Sequence, residues 1–277
     1  MSIITLTTDF GIKDHSVAAV KGAILNILPQ AHIVDISHLI APFNIIEAAY
    51  IIRNAYKSFP KGSIHIIGVD AEHTPENKHI ALELDGHYFI GADNGIMSLV
   101  ASQIKPKQIV EIDIHQSVQT SFTLLDVFVY VSTHLAKGGK LDVIGRKIND
   151  IKHLKYIQPQ VSDQQDQIIG HVIYIDNFGN LVTNVTRSLF ESLQNDRKFT
   201  ITARNIKFSR LYKSYSDAID FTQEAEDRQS SGKKIALFNS ADFIELKMYK
   251  SNPQKSGGAS SLFGVQLMDT INIKFHK

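Results

Sequence analysis

The sequence predicts an α/β N-terminal domain with a mainly parallel sheet, followed by an all-β, barrel-like C-terminal domain. The length of 277 residues exceeds what one small hydrophobic core usually serves. The first half alternates β-rich runs with helical periodicity, whereas the second half consists mainly of short strands. We therefore predict domains over residues 1–160 and 168–277, with a linker in the polar stretch QPQVSDQQDQ (158–167).

Apolar patterning defines the elements of the N-terminal half. The run SIHIIGVD (63–70) is too apolar for a sheet edge, and Asp85-Gly86 supplies the positive φ angles of a type I′ turn. The predicted order is a strand at 3–7, a helix at 16–28, a strand at 32–36, a helix at 44–59, a strand at 63–70, a hairpin at 79–90, a strand at 109–114 and a helix at 124–139 that ends in a glycine cap. This order implies a parallel sheet covered by helices on both faces, with antiparallel strands added to it.

Short strands dominate the C-terminal half. The runs that predict them are IIGHVIYID, LVTNV, KFTITARN, KIALFNS, FIELKMY and TINIKF. Many short strands with few helices favour an antiparallel sheet or a small barrel. The polar insertion at 213–233 is predicted to form a long loop.

Composition excludes several classes of function. A net charge of +1 offers no electrostatic footprint for nucleic acid, and the absence of cysteine excludes disulfides, thiolate catalysis and Cys-ligated zinc. The N-terminus lacks the pattern of a signal peptide, and no apolar run is long enough for a membrane span. We expect a soluble cytoplasmic protein that binds neither nucleic acid nor membrane.

Familiar cofactor motifs do not occur in the sequence. It contains no GxxxxGK[ST] loop, no GxGxxG after a strand, no GxSxG elbow and no HExxH pair. His73 and His79 in HTPENKH could hold a structural metal, but neutral surface histidines explain this spacing more simply. We expect no metal and no cofactor.

Two aspartates stand where predicted parallel strands end. Asp9 in TTDFG follows the first strand and Asp70 closes the third. Ligands of open α/β sheets bind outside the carboxyl ends of strands, and an aspartate there can accept hydrogen bonds from a ribose diol. The alternative role for Asp9 is a cap for the following helix, which Asp14 or Ser16 could also provide.

The stretch IDNFGNLVTN (175–184) also allows two interpretations. Asn-Phe-Gly-Asn is good turn chemistry, and as a mere turn it predicts that Phe178 is buried beneath it. As a binding element it offers the Phe178 ring for stacking and the Asn180 amide for hydrogen bonds to a base. Periodicity alone leaves both open.

Four blocks together resemble the S-adenosylmethionine (SAM) hydroxide adenosyltransferases, the superfamily that includes the SAM-dependent fluorinase and chlorinase. These blocks are TTDFGIKDHSVAAVKG, IDNFGNLVTN, LFNSADFIEL and GGASSLFG, in similar order and spacing over nearly the whole chain. The resemblance implies an α/β N-terminal domain, a barrel-like C-terminal domain, and a homotrimer with SAM bound between one subunit's N-terminal domain and its neighbour's C-terminal domain.

The resemblance also implies roles for individual residues. Those matching substrate-binding positions are Asp9 for the ribose, Asp14 and Ser16 near the methionine moiety, Phe43 close to the adenosine, Asp176 for the methionine amine, Phe178 and Asn180 for the adenine, Ser240 for the methionine carboxylate and Ala259 for a backbone contact to adenine. The implied chemistry is substitution at C5′ of SAM, in which the sulfonium leaves as a neutral thioether, so that no general acid is needed.

The sequence departs from the family at the set that activates water. Asp70 matches the aspartate of that Asp-Arg-His set, but Asn77 stands at the arginine position and Thr123, in SFTLLDVF, at the histidine position. Asn77 lacks the charge of arginine, and a threonine hydroxyl can position water but is a poor base.

Three readings of this departure stay open. The neighbouring residues Glu72, His73, Lys78 or His79 take over the missing roles; Asp70 and Thr123 suffice for a slow hydrolase; or the protein binds SAM without cleaving it. We expect a SAM hydrolase that yields adenosine and L-methionine. The alternatives are a non-catalytic SAM- or adenosine-binding protein and a halide-using adenosyltransferase.

Overall fold

A computed structural model of the chain describes residues 2–102, 104–114, 121–224, 226, 228 and 232–276. The chain divides into two compact units, Met1–Tyr156 and Ile157–Lys277. Among the described residues, no helix combines the length and apolarity that crossing a membrane would require.

The sheet of the first unit is mixed and mainly parallel, as predicted. Its strands are β1 (Ile3–Thr8), β2 (His32–Ser37), β3 (Ile64–Gly68), β4 (His79–Leu84), β5 (His87–Ala92), β6 (Gln108–Ile112) and β7 (Gly145–Ile148), in the spatial order β2-β1-β3-β5-β4-β6-β7. Strands β1, β2, β3, β5 and β6 run in one direction, whereas β4 and β7 run against them. β3 is flanked by β1 and β5 and is buried along its length, which its apolar sequence predicted.

Helices cover both faces of this sheet, as the β-α-β-α-β order implied. They are α1 (Ser16–Ile27), α2 (Ile45–Ala55), α3 (Ile96–Ala101) and α4 (Val129–Ala136). One core joins α1 and α4 to the sheet, and a second core joins α2 and α3 to its other face. The carboxyl ends of β1 and β3 therefore emerge between two packed layers.

Turn and cap chemistry in this unit follows the prediction. Asp85 and Gly86 between β4 and β5 have φ angles of +50° and +74°. After α4, Gly138 has a φ of +84° and the Gly139 amide donates to the His134 carbonyl at 3.0 Å. The type I′ turn and the glycine cap are thus confirmed.

Several elements of the first unit differ from the prediction. Helix α3 was not predicted because all six of its residues are buried, so it shows no amphipathic period. The edge strand β7 is only four residues long. The predicted helix at 124–139 begins with a π-helical turn, Leu124–Phe128, before it continues as α4. Such turns often occur at functional sites.

The second unit contains an antiparallel, nearly closed, barrel-shaped sheet. Its strands are β8 (Gln160–Val161), β9 (Gln167–Ile175), β10 (Leu181–Thr186), β11 (Lys198–Ala203), β12 (Ile206–Phe208), β13 (Lys234–Phe238), β14 (Phe243–Met248) and β15 (Thr270–His276), in the order β12-β11-β15-β9-β10-β14-β13 with β8 paired to β9. After β12, the Tyr212 amide donates to the Ala236 carbonyl of β13 at 2.8 Å, which brings the two ends of the sheet together.

Three features of this unit were not predicted. Strand β8 lies inside the polar stretch 158–167, so that stretch is not simply a linker. Helix α5 (Arg187–Gln194) starts directly after β10, where the Thr186 hydroxyl caps the Leu189 amide at 3.3 Å. Helix α6 (Ala259–Phe263) has only five residues. Short helices joined directly to strands leave too few residues for a periodic signal.

A pair of histidines is buried against the sheet of the first unit, where both rings meet Tyr56 edge to face. Nδ1 of His65 lies 2.7 Å from the Thr5 hydroxyl, and its Nε2 lies 3.2 Å from Nδ1 of His87. The His65 ring stacks on Phe89 and is 1% exposed. Burial, with a smaller effect of His87, lowers the pKa of His65 from 6.5 to about 3, so His65 is neutral in the folded protein.

We predict that His65 makes the fold sensitive to acid. Because unfolding exposes a histidine that takes up a proton below pH 6.5, stability falls as the pH drops from 6.5 towards 3, by about 1.4 kcal/mol per pH unit. Urea unfolding across this range should show a flatter pH dependence for His65→Phe, whereas the exposed His32→Gln control should behave as wild type. An unchanged slope in His65→Phe would contradict the prediction.

Candidate functional site

The loops that follow β1 and β2 are tied together at Asp9. Its Oδ2 accepts a hydrogen bond from the backbone amide of Phe43 at 2.9 Å, and the Gly11 amide donates to the His38 carbonyl at 2.7 Å. Phe43 has a φ of +62° and its side chain is 73% exposed. A left-handed backbone costs a non-glycine residue about 1–2 kcal/mol. The Asp9 hydrogen bond therefore supports a strained backbone that presents an aromatic ring to solvent.

Asp9 does not cap helix α1. The residue at the N-cap position is His15, which makes no side-chain cap bond. Asp14 Oδ1 accepts the Ser16 amide at 3.1 Å, and this backbone bond is the main cause that lowers the pKa of Asp14. The carboxylate of Asp9 is thus available for a role other than helix capping.

A hydrogen-bonded chain that the sequence did not reveal supports Thr8, the residue before Asp9. Nδ1 of the buried His38 lies 2.8 Å from the Thr8 hydroxyl, and its Nε2 lies 3.1 Å from Asp35 Oδ1. Lys21 Nζ binds the other Asp35 oxygen at 2.6 Å. The imidazole of His38 thus lies between the Thr8 hydroxyl and the Asp35 carboxylate. The only feature of the sequence that pointed to a role for His38 was its position two residues after the predicted strand at 32–36.

Asp70 stands in a strained loop after β3. It has a φ of +46°, and the side-chain amide of Asn94 donates to the carbonyls of Val69 and Asp70 at 3.1 and 3.0 Å. These two bonds hold the loop in a conformation that non-glycine residues rarely adopt. Its strain marks the loop as a candidate functional segment.

Thr123 lies on a segment that packs against the end of β3. Leu124 leaves no room for a side chain at Gly68, where a Cβ would lie 2.6 Å from it. One residue before Thr123, the Phe122 ring meets Phe10 edge to face, with centroids 5.6 Å apart. The chain thus brings the segments of Asp9, Asp70 and Thr123 to the carboxyl ends of β1 and β3.

Asn77, by contrast, is engaged at the surface. Its side-chain Oδ1 accepts a hydrogen bond from Lys152 Nζ at 3.2 Å, and its backbone amide donates to the Thr74 hydroxyl at 2.9 Å. His79, two residues on, is 1% exposed and its Nε2 lies 3.1 Å from the Ala71 carbonyl. Asn77 is therefore hydrogen-bonded to Lys152 and Thr74. Within the described ranges, no group of three His, Asp or Glu side chains could hold a metal ion.

In the second unit, the Asp176 carboxylate organises the turn between β9 and β10. Its Oδ1 accepts the backbone amides of Phe178 and Asn180, each at 2.8 Å, and its Oδ2 accepts the Asn180 side-chain amide at 2.7 Å. The Phe178 ring is 60% exposed, which rules out burial beneath the turn. Asn180 is 4% exposed. The turn therefore places a carboxylate, an exposed ring and a held amide together.

The GGASSLFG segment docks on this turn through two glycines. A Cβ on Gly258 would lie 2.7 Å from the Gly179 Cα, and the Ser260 amide donates to the Gly179 carbonyl at 2.8 Å. Ala259, at the start of α6, is fully buried beside this contact. Ser240 is exposed in the turn between β13 and β14. Two of the sequence blocks thus form one substructure.

A row of three facing polar residues crosses the ends of β9, β10 and β14: Asp176, Asn180 and Lys247. The register pairs Leu181 of β10 with Leu246 of β14 and with Ile175 of β9, so Asn180 stands between Asp176 and Lys247. Residues directly opposite one another point to the same face of a sheet. The three polar side chains consequently share one face.

A buried ion pair accompanies this row. Lys247 Nζ lies 2.6 Å from Glu245 Oε1, and the side chains are 9% and 5% exposed. Burial raises the pKa of Glu245 to about 7, opposed by a hydrogen bond from Asn239, and the negative Asp176 adds to the rise. The alternation of charged and apolar residues in FIELKM is typical of a solvent-facing strand face, so the sequence did not indicate that these charges are buried.

The insertion at 213–233 supplies part of that cover. Lys247 Nζ donates a hydrogen bond to the Tyr215 hydroxyl, and the Tyr215 ring lies 4.4 Å from the same ammonium. Ala218 packs on Ile235 and Leu237 of β13. Nothing in the sequence indicated that Tyr215 would lie here. The first residues of the insertion thus lie beside the face that carries Asn180.

We predict that Gly258→Ala separates the two docked segments. The new Cβ would meet backbone atoms of Phe178 and Gly179 at 2.7 Å, and such overpacking typically costs about 1–3 kcal/mol. Chemical denaturation should show this loss. Gly22→Ala in α1 is the matched control, because its Cβ meets nothing within 4 Å and a helical alanine is favoured. Equal stability of both variants would contradict the prediction.

Comparisons with known proteins cover the whole chain. Residues 4–145 match the SAM hydroxide adenosyltransferase N-terminal domain, and residues 170–272 match the C-terminal domain of the same family. A protein of Methanocaldococcus jannaschii named (R)-S-adenosyl-L-methionine hydrolase is 32% identical over 99% of this chain and 96% of its own. A fluorinase of Nocardia brasiliensis is 27% identical over 69% of this chain and 73% of its own.

Solved structures agree with these matches. The crystal structure of an uncharacterized conserved protein from Thermotoga maritima superimposes with a TM-score of 0.82 at 28% identity, covering 99% of this chain and 100% of the other. With both domain models matched in order and a full-length relative above 30% identity, the chain belongs to the SAM hydroxide adenosyltransferase family.

Proposed function

We propose that this protein is an enzyme that cleaves SAM with water at C5′ and releases adenosine and L-methionine. The observation that carries the proposal is the full-length similarity to a protein named (R)-SAM hydrolase, together with family membership of both domains. SAM is then a substrate, and the reaction calls for no cofactor and no metal.

The proposed binding roles agree with the hydrogen-bonding capacity of the residues. An ionised carboxylate has about four acceptor sites. Asp9 uses one for the Phe43 amide, so acceptor sites are left for a ribose diol. Asp176 uses three within its own turn, which leaves about one for the methionine amine. The exposed rings of Phe43 and Phe178 provide apolar surface for the adenosine.

The remaining binding roles are carried over from the family resemblance. We assign Asp14 and Ser16 to the methionine moiety, Ser240 to its carboxylate and the Ala259 backbone to the adenine. Ser240 and Asp14 are exposed in the single chain.

The chemical step needs alignment more than acid–base catalysis. The sulfonium departs as a neutral thioether, so the protein has to hold water in line with the C5′–S bond in a partly dehydrated site. We infer that Asp70 accepts a hydrogen bond from that water and that the Thr123 hydroxyl orients it. The Asn77 amide, which contacts Lys152, supplies neither charge nor base.

We also propose a cytoplasmic homotrimer with sites at subunit interfaces. Large apolar side chains near Asp9 are exposed in the single chain, which favours their burial by a second subunit. These side chains are Ile12, Leu39 and Phe43, at 75%, 68% and 73% exposure.

Incubation of the purified protein with SAM is expected to release adenosine and L-methionine in equal amounts above the no-enzyme rate, measured by chromatography. Parallel reactions with fluoride or chloride should yield no 5′-halogenated nucleoside. A halogenated product would identify the halide-using alternative. Saturable SAM binding by calorimetry without turnover at any pH would identify a binding protein instead.

Replacing Asp70 should separate catalysis from binding. Asp70→Asn is expected to lower kcat about 100-fold, the usual effect of losing a proton acceptor, with little change in SAM affinity. The exposed Asp150→Asn is the matched carboxylate control. Undiminished turnover in Asp70→Asn would remove Asp70 from the mechanism. Asp9→Ala should instead weaken SAM binding, because it removes the acceptor for the ribose.

A further inference from the structure

The orientation of the Asn180 amide is determined by its neighbour Asp176. The side-chain Nδ2 of Asn180 lies 2.7 Å from Asp176 Oδ2. A carboxylate can only accept, so the amide atom facing it must be the donor nitrogen. The opposite orientation would place two oxygens against each other and lose the hydrogen bond. The nitrogen of Asn180 therefore faces Asp176, and its Oδ1 points away from this carboxylate.

Asp176 itself cannot turn away. Its Oδ1 accepts two backbone amides at 2.8 Å, from Phe178 and Asn180, which fixes the plane of the carboxylate. Hydrogen bonds to a charged acceptor are about twice as strong as neutral ones. The amide of Asn180 is thus held by a group that is itself held by the backbone of the turn.

Building on the proposed adenosyl site, we propose that Asp176 is a positioning residue that makes Asn180 present an acceptor, so that the site selects a purine carrying a 6-amino group over one carrying a 6-oxo group. Asn180 and the exposed Phe178, on whose ring a base can stack, belong to the same turn and donate their backbone amides to the same Asp176 oxygen. An amino group donates to Oδ1, whereas an oxo group places a second acceptor against it. Two facing acceptors repel and leave both atoms without a partner.

The test replaces Asp176 by its amide and compares adenosine with inosine by calorimetry on the full-length protein. Wild type is expected to bind adenosine at least about tenfold more tightly than inosine, the difference of one hydrogen bond. In Asp176→Asn the introduced oxygen still accepts both backbone amides, but the introduced nitrogen can only donate. Asn180 must then turn to accept from it and present its own nitrogen, so the adenosine-to-inosine affinity ratio falls at least about tenfold, to unity or below.

Asn177→Ser is the matched control, because Asn177 is exposed in the same turn. The adenosine-to-inosine affinity ratio of Asn177→Ser should equal that of wild type. An adenosine preference that survives in Asp176→Asn overturns the proposal, and so does an equal loss of affinity for both nucleosides. Asn180→Ala gives an independent reading if Asp176→Asn does not fold. The adenosine-to-inosine affinity ratio of Asn180→Ala should fall to about one, and a retained preference for adenosine again overturns the proposal.

The two proposals fail in different ways. A wild-type protein that binds and cleaves SAM but binds adenosine and inosine equally overturns only the role of Asp176. A wild-type protein that binds neither SAM nor either nucleoside overturns the proposed function and this inference with it.

Discussion

The three hydrogen bonds accepted by Asp176 are the constraint on which the C-terminal part of the site depends. They close the turn after β9 with charge-assisted bonds, which are stronger than the backbone bonds of an ordinary hairpin. The closed turn leaves Gly179 with a φ of +73° and free of any side chain, so Gly258 can approach its backbone. The same closure turns Phe178 outwards. The Asp176 carboxylate thereby determines three features of the turn. They are the contact of Gly179 with Gly258, the exposure of the Phe178 ring and the orientation of the Asn180 side-chain amide.

Two residues at the candidate site of the first unit have a strained backbone. Phe43 and Asp70 both have positive φ, and each is held by side-chain hydrogen bonds from or to a neighbouring loop. Such conformations cost about 1–3 kcal/mol each and persist only when the surroundings impose them. Phe43 is exposed, so burial of its ring does not account for that cost. Strain at Phe43 is therefore better explained by presentation of its side chain than by stability.

The sequence predicted those features that depend on local chemistry. Apolar runs identified the central strands, and Asp85-Gly86 identified the hairpin turn, because both signals are contained in a few consecutive residues. Helix α3 was missed because burial on every side removes its period. The contact of Tyr215 with Lys247 was missed for a different reason, since it joins residues 32 positions apart and has no local signal. The interpretation of Phe178 needed its exposure, which periodicity cannot give.

The departure at the water-activating positions has a consistent physical interpretation. An asparagine at position 77 cannot supply the fixed charge of an arginine. Asn77 carries no charge, but it accepts a hydrogen bond from Lys152 Nζ, so a cation still lies beside this position. Leu124 packed on Gly68 still fixes the segment of Thr123 at the end of β3, where a hydroxyl can orient water. We propose that SAM binding is preserved while activation of water is weakened. We expect this trade to appear as a low kcat with an undisturbed KM, because the lost interactions act on water rather than on SAM.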